Sequence, residues 1–156
     1  MRARIALVAL ALVAALVLTP AAPARIVVQK GIAGVQLRMT RAKVIALLGP
    51  PPKTRRGSNL FGPWTEFLYP RVRVTFQSGP LVTGLRTTSR LEKTARGVGP
   101  GSTEAQVRAR VAGVRCRTEG TFRHCFVGQF LAGRVVTDFH IRRGRVSAVV
   151  VGYVLD

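Results

Sequence analysis

Two cysteines and two histidines hold most of the reactive chemistry in this 156-residue sequence. Cys116 and Cys125 lie nine positions apart, His124 adjoins Cys125, and His140 follows Asp138 by two. A thiolate beside an imidazole would make a nucleophile and its base. Neighbouring residues of an extended segment point to opposite faces, however, which places His124 badly for activating Cys125. Zinc is a second reading, but structural zinc ligands come in close pairs, and Cys-x8-Cys with one adjoining His lacks that spacing. A disulfide between Cys116 and Cys125 is the third, favoured in a chain that reaches an oxidising compartment. The expectation is a disulfide, with no catalytic, cofactor-binding or metal-binding residue assigned. A small secreted enzyme using His124, Cys125 or His140 is the alternative, and it requires a free thiol.

The acids add little. Glu66, Glu92, Glu104, Glu119, Asp138 and Asp156 show no spacing that would put a general acid and base on one face. Asp138 and His140 do share a face of one strand and read as an outward polar pair. The stretch Gly97-Val98-Gly99-Pro100-Gly101-Ser102-Thr103 ends where a helix begins, so its amides could meet a phosphate. It lacks the lysine of a P-loop and no strand leads into it, which favours a flexible connector.

Charge is the strongest compositional signal. Lys and Arg number 25 against 6 Asp and Glu, a formal net charge of +19, and only Lys30, Lys43, Lys53 and Lys93 are lysines. At 47% hydrophobic the chain is too apolar for a disordered tail and too short for two large domains. Sixteen glycines and nine prolines spread along it imply many turns rather than a coiled coil or a collagen-like chain. A solvated arginine-rich surface and an attraction to anionic polymers or headgroups both fit such a charge.

Residues 1–24 read as a signal peptide. Arg2 and Arg4 precede an uncharged run over 5–18, too short to span a hydrocarbon core of about 30 Å. Ala22-Pro23-Ala24 supplies small residues for a cut before Arg25, and no cysteine follows it to carry a lipid. An uncleaved signal anchor is the rival reading and the one route to a membrane. Either way the remainder lies outside the cytoplasm, secreted or periplasmic, at the exterior of the cell envelope.

The elements that would position these residues come in two similar sets. Sliding the sequence by 63 places Gly34-Val35 on Gly97-Val98, Thr40 on Thr103, Ala42 on Ala105, Val44 on Val107 and Phe76 on Phe139. Residues 25–33 form an N-terminal segment, 34–90 a first α-β-β-β repeat, 91–96 a linker and 97–156 a second repeat with the disulfide. Thr40 should cap a helix over 41–48, ended by Gly49-Pro50-Pro51-Pro52. Thr103 should cap another over about 104–112, where Thr103-Glu104-Ala105-Gln106 is a capping box. Extended runs are expected at 64–69, 71–77, 81–87, 121–128, 134–142 and 145–154. In 71–77, Val72, Val74 and Phe76 should face the helices while Arg71, Arg73, Thr75 and Gln77 face water or a partner. Ser78-Gly79-Pro80 and Arg143-Gly144 mark hairpin turns, and 146–154, apolar at nearly every position, reads as a central strand. The fold class expected is α+β, with short helices packed on an antiparallel sheet.

The pattern Gly-Val-x4-Thr-x3-Val-x3-Leu-Gly-x-Pro in 34–51, followed by Trp64, Tyr69, Val74-x-Phe76 and Val82, resembles the small BamE/SmpA-type domain. Two such units in tandem resemble the β-lactamase-inhibitor-protein-like architecture. The resemblance implies an exported, non-catalytic protein-binding module. The chain departs from the family in having no lipidation cysteine, and Ala112-Gly113 stands where Gly-x-Pro is expected in the second half. The reading that results is an exported binding or scaffold module. It would hold an envelope protein or an anionic polymer through a basic sheet face bearing Arg71, Arg73, Arg142 and Arg145, with Trp64 and Tyr69 as anchors or packing residues. No small-molecule cofactor is expected. A generic anionic-surface binder is the further alternative, and nucleic acid is disfavoured because aromatics are scarce in the basic segments.

Overall fold

The computed structural model describes residues 25–155; the predicted signal peptide lies outside them. Eleven strands and two helices follow in the order β1 (Ile26–Val27), β2 (Gly31–Ile32), β3 (Val35–Gln36), α1 (Arg41–Leu48), β4 (Lys53–Asn59), β5 (Gly62–Leu68), β6 (Arg73–Gln77), β7 (Gly84–Thr87), α2 (Glu104–Arg110), β8 (Arg115–Glu119), β9 (Phe122–Gly128), β10 (Val135–Arg142) and β11 (Arg145–Tyr153). β1, β2 and β3 form a small sheet of their own. The other eight make one antiparallel sheet in the order β4-β5-β6-β7-β11-β10-β9-β8. β7 and β11 join its two halves, with Val149 opposite Thr87 and Val151 opposite Leu85.

This architecture corrects the α+β expectation. The chain is mainly β, with two helices of eight and seven residues, rather than a pair of helix-on-sheet repeats of three strands each. The two-residue strands β1, β2 and β3 were missed, and in the large sheet the strands missed were the two edges. β4 reads Lys-Thr-Arg-Arg-Gly-Ser-Asn and is exposed at every position, and β8 is exposed at all but Cys116. An edge strand with water on both faces has no apolar alternation to betray it. β4 is recognisable in three dimensions because it lies in register with β5, where Gly57 leaves room for the Trp64 ring opposite.

The helices are too short to stand alone and are fixed at their starts. Thr40 Oγ1 accepts from the Lys43 amide at 3.2 Å. Thr103 Oγ1 accepts from the Gln106 amide while the Gln106 side chain accepts from the Thr103 amide, a reciprocal box. Each start is also tied to a hairpin: Arg41 N donates to Pro80 O, and Glu104 N to Gly144 O. Val44 and Val107 are the side chains each helix buries, whereas Leu47 remains half exposed.

One apolar cluster lies on the helix side of the sheet. Val74, Phe76, Leu85, Phe139, Val149 and Val151 point into it from the inner positions of four strands, β6, β7, β10 and β11, and Ile26, Ile32, Val35, Val82 and Val98 close over them. β11 occupies the middle of the sheet, which accounts for its nearly continuous apolar sequence. The glycine-rich stretch 97–103 is packed rather than a loose connector. Val98 and Ser102 are buried, Gly99 N donates to Ser102 Oγ, and Lys93 Nζ donates to Pro100 O.

Candidate binding face

With Val74 and Phe76 committed to the core, strand alternation sends Arg73, Thr75 and Gln77 to the opposite, outer face. The register carries that face across the sheet. Arg73 stands opposite Arg86, Arg86 opposite Val150, Val150 opposite Asp138, Asp138 opposite Phe126, and Phe126 opposite Arg115. A second row runs through Ala148, His140, His124 and Arg117. The outer face therefore has a basic end and an aromatic end.

The basic end gathers arginines from three separated parts of the sequence around Thr88. On one side Arg71, Arg73 and Arg86 line a recess that includes Thr88; on the other Arg90, Arg142, Arg143 and Arg145 line an adjoining recess of about 400 Å³ that also includes Thr88. Arg73 and Arg86 are direct cross-strand partners, and so are Arg142 and Arg145. Like charges facing each other across strands destabilise a sheet. Two carboxylates offset this in part: Arg73 lies 3.8 Å from Glu66, and Arg71 lies 3.9 Å from Glu92. Among the described residues, Arg86, Arg90, Arg142, Arg143 and Arg145 have no carboxylate in ion-pair contact. Arg145 donates instead to the Gly101 carbonyl at 3.0 Å.

Glu92 sits behind this end, fully buried, with neither carboxylate oxygen hydrogen-bonded among the described residues. Burial pushes its carboxyl above the ordinary range, while Arg25 at 3.7 Å and Arg71 pull it back. Glu104 behaves in the opposite way. Hydrogen bonds from Arg123 and Arg108 hold its carboxyl below the usual range against a smaller effect of burial.

At the aromatic end His124 is almost fully buried, with Nδ1 2.9 Å from Asp138 Oδ1 and Nε2 accepting from Arg117 Nε at 3.4 Å. His140 Nε2 lies 3.4 Å from Asp138 Oδ2, so Asp138 bridges both histidines. Phe122, Phe126 and Phe130 stack around His124 with ring centroids 4.9 to 5.6 Å away. Cys125 faces the other side of the sheet, opposite Phe139 in the core, and its sulfur is bonded to Cys116. No free thiol stands beside either histidine. Nor does this chemistry suit a cation: the Arg117 guanidinium occupies the free edge of His124. Glu104, Cys116 and Cys125 also converge, but the two sulfurs are bonded to each other and Glu104 is engaged by two arginines.

Trp64 and Tyr69 are half-buried packing residues. Trp64 covers Gly57, and Tyr69 Oη donates to Gly49 O at 2.9 Å, tying the end of β5 to the end of α1.

No protein-family model matches the sequence, and no curated protein matches it significantly. Two solved structures are similar. A DUF4309 family protein, YjgB, of Bacillus subtilis subsp. subtilis str. 168 is 15% identical with a TM-score of 0.53, over 83% of this chain and 88% of that one. The chain shares the fold of that DUF4309 protein. An extracellular protein containing a SCP domain, from Bacillus anthracis str. Ames, is 9% identical with a TM-score of 0.49. This chain covers 44% of its length, and 75% of this chain is covered in return. At 15% identity the likeness to the DUF4309 protein is one of fold alone. Among the described residues no helix is long and apolar enough to cross a membrane.

Of the residues singled out in the sequence, Arg71, Arg73, Arg142 and Arg145 meet around Thr88, although β6 and β10, which carry Arg73 and Arg142, are three positions apart in the sheet order. Arg86, Arg90 and Arg143 complete the group and were missed. Arg86 was legible, since Gly84-Leu85-Arg86-Thr87 alternates with Leu85 inward. The aromatic end was also legible in part: Phe122, His124 and Phe126 recur with period two and share a face.

Proposed function

We propose that the protein is an exported, non-catalytic binding module that takes an anionic polymer on the basic end of its outer sheet face. The observation that carries this reading is the pair of arginine–arginine cross-strand partners, Arg73 with Arg86 and Arg142 with Arg145, flanking Thr88. Like charges placed in register cost stability, and a ligand with several negative groups would offset that cost when bound. Guanidinium groups suit phosphate, sulfate and carboxylate oxygens because their planar fork offers paired donors. The secreted or periplasmic location rests on reading 1–24 as a signal peptide and agrees with the Cys116–Cys125 disulfide, a bond of oxidising compartments. The exported, protein-binding role implied by the BamE/SmpA-type resemblance belongs to the same class. The cysteine enzyme is disfavoured because Cys125 is bonded to Cys116 and separated from His124 by the sheet.

Retention on a polyphosphate matrix across a salt series tests the reading. The wild-type protein should elute earlier as salt rises, with a steep log–log dependence. Replacing Arg142 and Arg145 by Ala should reduce that slope by about 1 to 2, the share of two phosphate contacts. Retention insensitive to salt, or a slope unchanged by the double replacement, would refute it.

A further inference from the structure

The aromatic end of the outer face holds a cation in an unusual setting. Arg117 lies on edge strand β8 with its guanidinium carbon 4.9 Å from the Phe126 ring centre and 5.3 Å from that of Phe130. The two rings meet edge to face at 5.0 Å and form two walls around it. Behind it, His124 accepts from Arg117 Nε, and Asp138 fixes the imidazole in turn. A guanidinium stacked on rings and backed by a buried hydrogen-bonded pair has lost most of its freedom before any ligand arrives, which lowers the cost of binding. Phe122, Phe130 and Leu131 are each more than a third exposed beside it, and Arg115 adds a second cation over Phe126.

A second donor of Arg117 meets an exposed carboxylate of the same strand: Glu119 Oε1 lies 2.6 Å from Arg117 Nη2. Glu119 is about half exposed, and its second oxygen lies 4.0 Å from His124 Nε2. It supplies the negative group the clamp is shaped for from a position that solvent or a partner can replace. Exposed pairs of this kind are held weakly, so a better-placed carboxylate can displace it.

We propose that Arg117, with Phe126 and Phe130, forms a receptor for a glutamate or aspartate side chain on an apolar loop of a protein partner, and that Glu119 is the internal stand-in which that side chain displaces. Charge complementarity selects the acid, and the exposed rings of Phe122 and Phe130 select apolar neighbours around it. Arginine and aromatic side chains in such combinations dominate the binding energy of protein interfaces. The site is separate from the basic end, whose arginines come from β6, β7, β10, β11 and the segments beside them.

The test is a titration of the full chain with the blocked peptide acetyl-Phe-Glu-Phe-Glu-amide, followed by the side-chain Nε–H resonance of Arg117 in an isotope-labelled sample. Saturable movement of that resonance is expected. The replacement E119Q removes the stand-in and should tighten the peptide about two- to fivefold, while F130A removes one wall and should weaken it about tenfold. The same peptide with glutamines should not bind. The idea fails if Arg117 does not respond, if E119Q binds no more tightly than wild type, if the glutamine peptide binds equally, or if polyphosphate displaces the peptide from Arg117. Both replacements are on exposed side chains, and E119Q decides the matter even if F130A fails to fold. Polyphosphate retention, measured on the same variants, should not change; this separates failure here from failure at the basic end.

Discussion

Opening the Cys116–Cys125 bond should loosen one edge of the sheet and lower global stability by a calculable amount. The two residues face each other in register across β8 and β9, with Cα atoms 3.9 Å apart and a sequence separation of nine. Closing so short a loop removes entropy from the unfolded chain worth about 2.6 kcal/mol at 25 °C in the chain-entropy model. In a domain of this size each kcal/mol moves the thermal midpoint by roughly 2–4 °C, so reduction should lower it by roughly 5–10 °C. The loss should also be local first. β8 has a ladder partner on one side only, and apart from Cys116 its residues are exposed. Without the cross-link its amides rest on a single row of hydrogen bonds at the sheet edge, and opening them requires no other strand to move. Urea unfolding with and without reductant gives the global term, and amide hydrogen exchange gives the local one. The double replacement C116A/C125A serves as a second route, with an added penalty because Cys125 is buried in the core. Reduction that moves the urea midpoint by less than the equivalent of about 0.5 kcal/mol would refute the entropic argument. Protection lost evenly over the whole sheet would refute the edge-first argument.

Two other outcomes concern the start of α2 and the two carboxylates with shifted titration. Thr103→Ala removes the acceptor for the Gln106 amide and half of the capping box, so the urea midpoint should report a loss of about 0.5–2 kcal/mol; an unmoved midpoint would mean that the start of α2 contributes nothing to stability. Glu92 and Glu104 should give stability opposite dependences on pH. The folded state holds the Glu92 proton more tightly than the unfolded chain does, so the contribution of this group is greatest below the ordinary carboxylate range and is lost as pH rises through its raised value. Glu104, held below the ordinary range, contributes fully above that range and loses its contribution as pH falls through the lowered value. Midpoints measured across pH should therefore decline less with rising pH in E92Q and less with falling pH in E104Q, and parallel curves for all three proteins would overturn the assignment.

Much of what the sequence determined is local. Alternation in 71–77 separated Val72, Val74 and Phe76 from Arg73, Thr75 and Gln77, because a strand buried on one face must repeat with period two. Thr40 and Thr103 marked helix starts, since an N-cap needs only a hydroxyl three residues before an amide. Cys116 and Cys125 proposed their own bond, and the turns at Ser78-Gly79 and Arg143-Gly144 announced hairpins whose Ser78, Arg143 and Gly144 take positive φ. Edge strands β4 and β8 escaped notice because nothing apolar needs to repeat where both faces meet water, and the α+β expectation failed with them.

The functional surface was decided in three dimensions. The β7–β11 pairing joins residues 84–87 to residues 149–152, a contact no local propensity encodes, since it depends on burying Leu85, Val149 and Val151 in one core. That single junction brings Arg71, Arg73, Arg86 and Arg90 beside Arg142, Arg143 and Arg145 around Thr88. The Arg117 clamp likewise needs β8 paired to β9 before Phe126, Phe130 and His124 can surround one guanidinium. Residue types and their alternation are written along the chain, whereas which charges become neighbours depends on strand order, and strand order is fixed by the shared core beneath them.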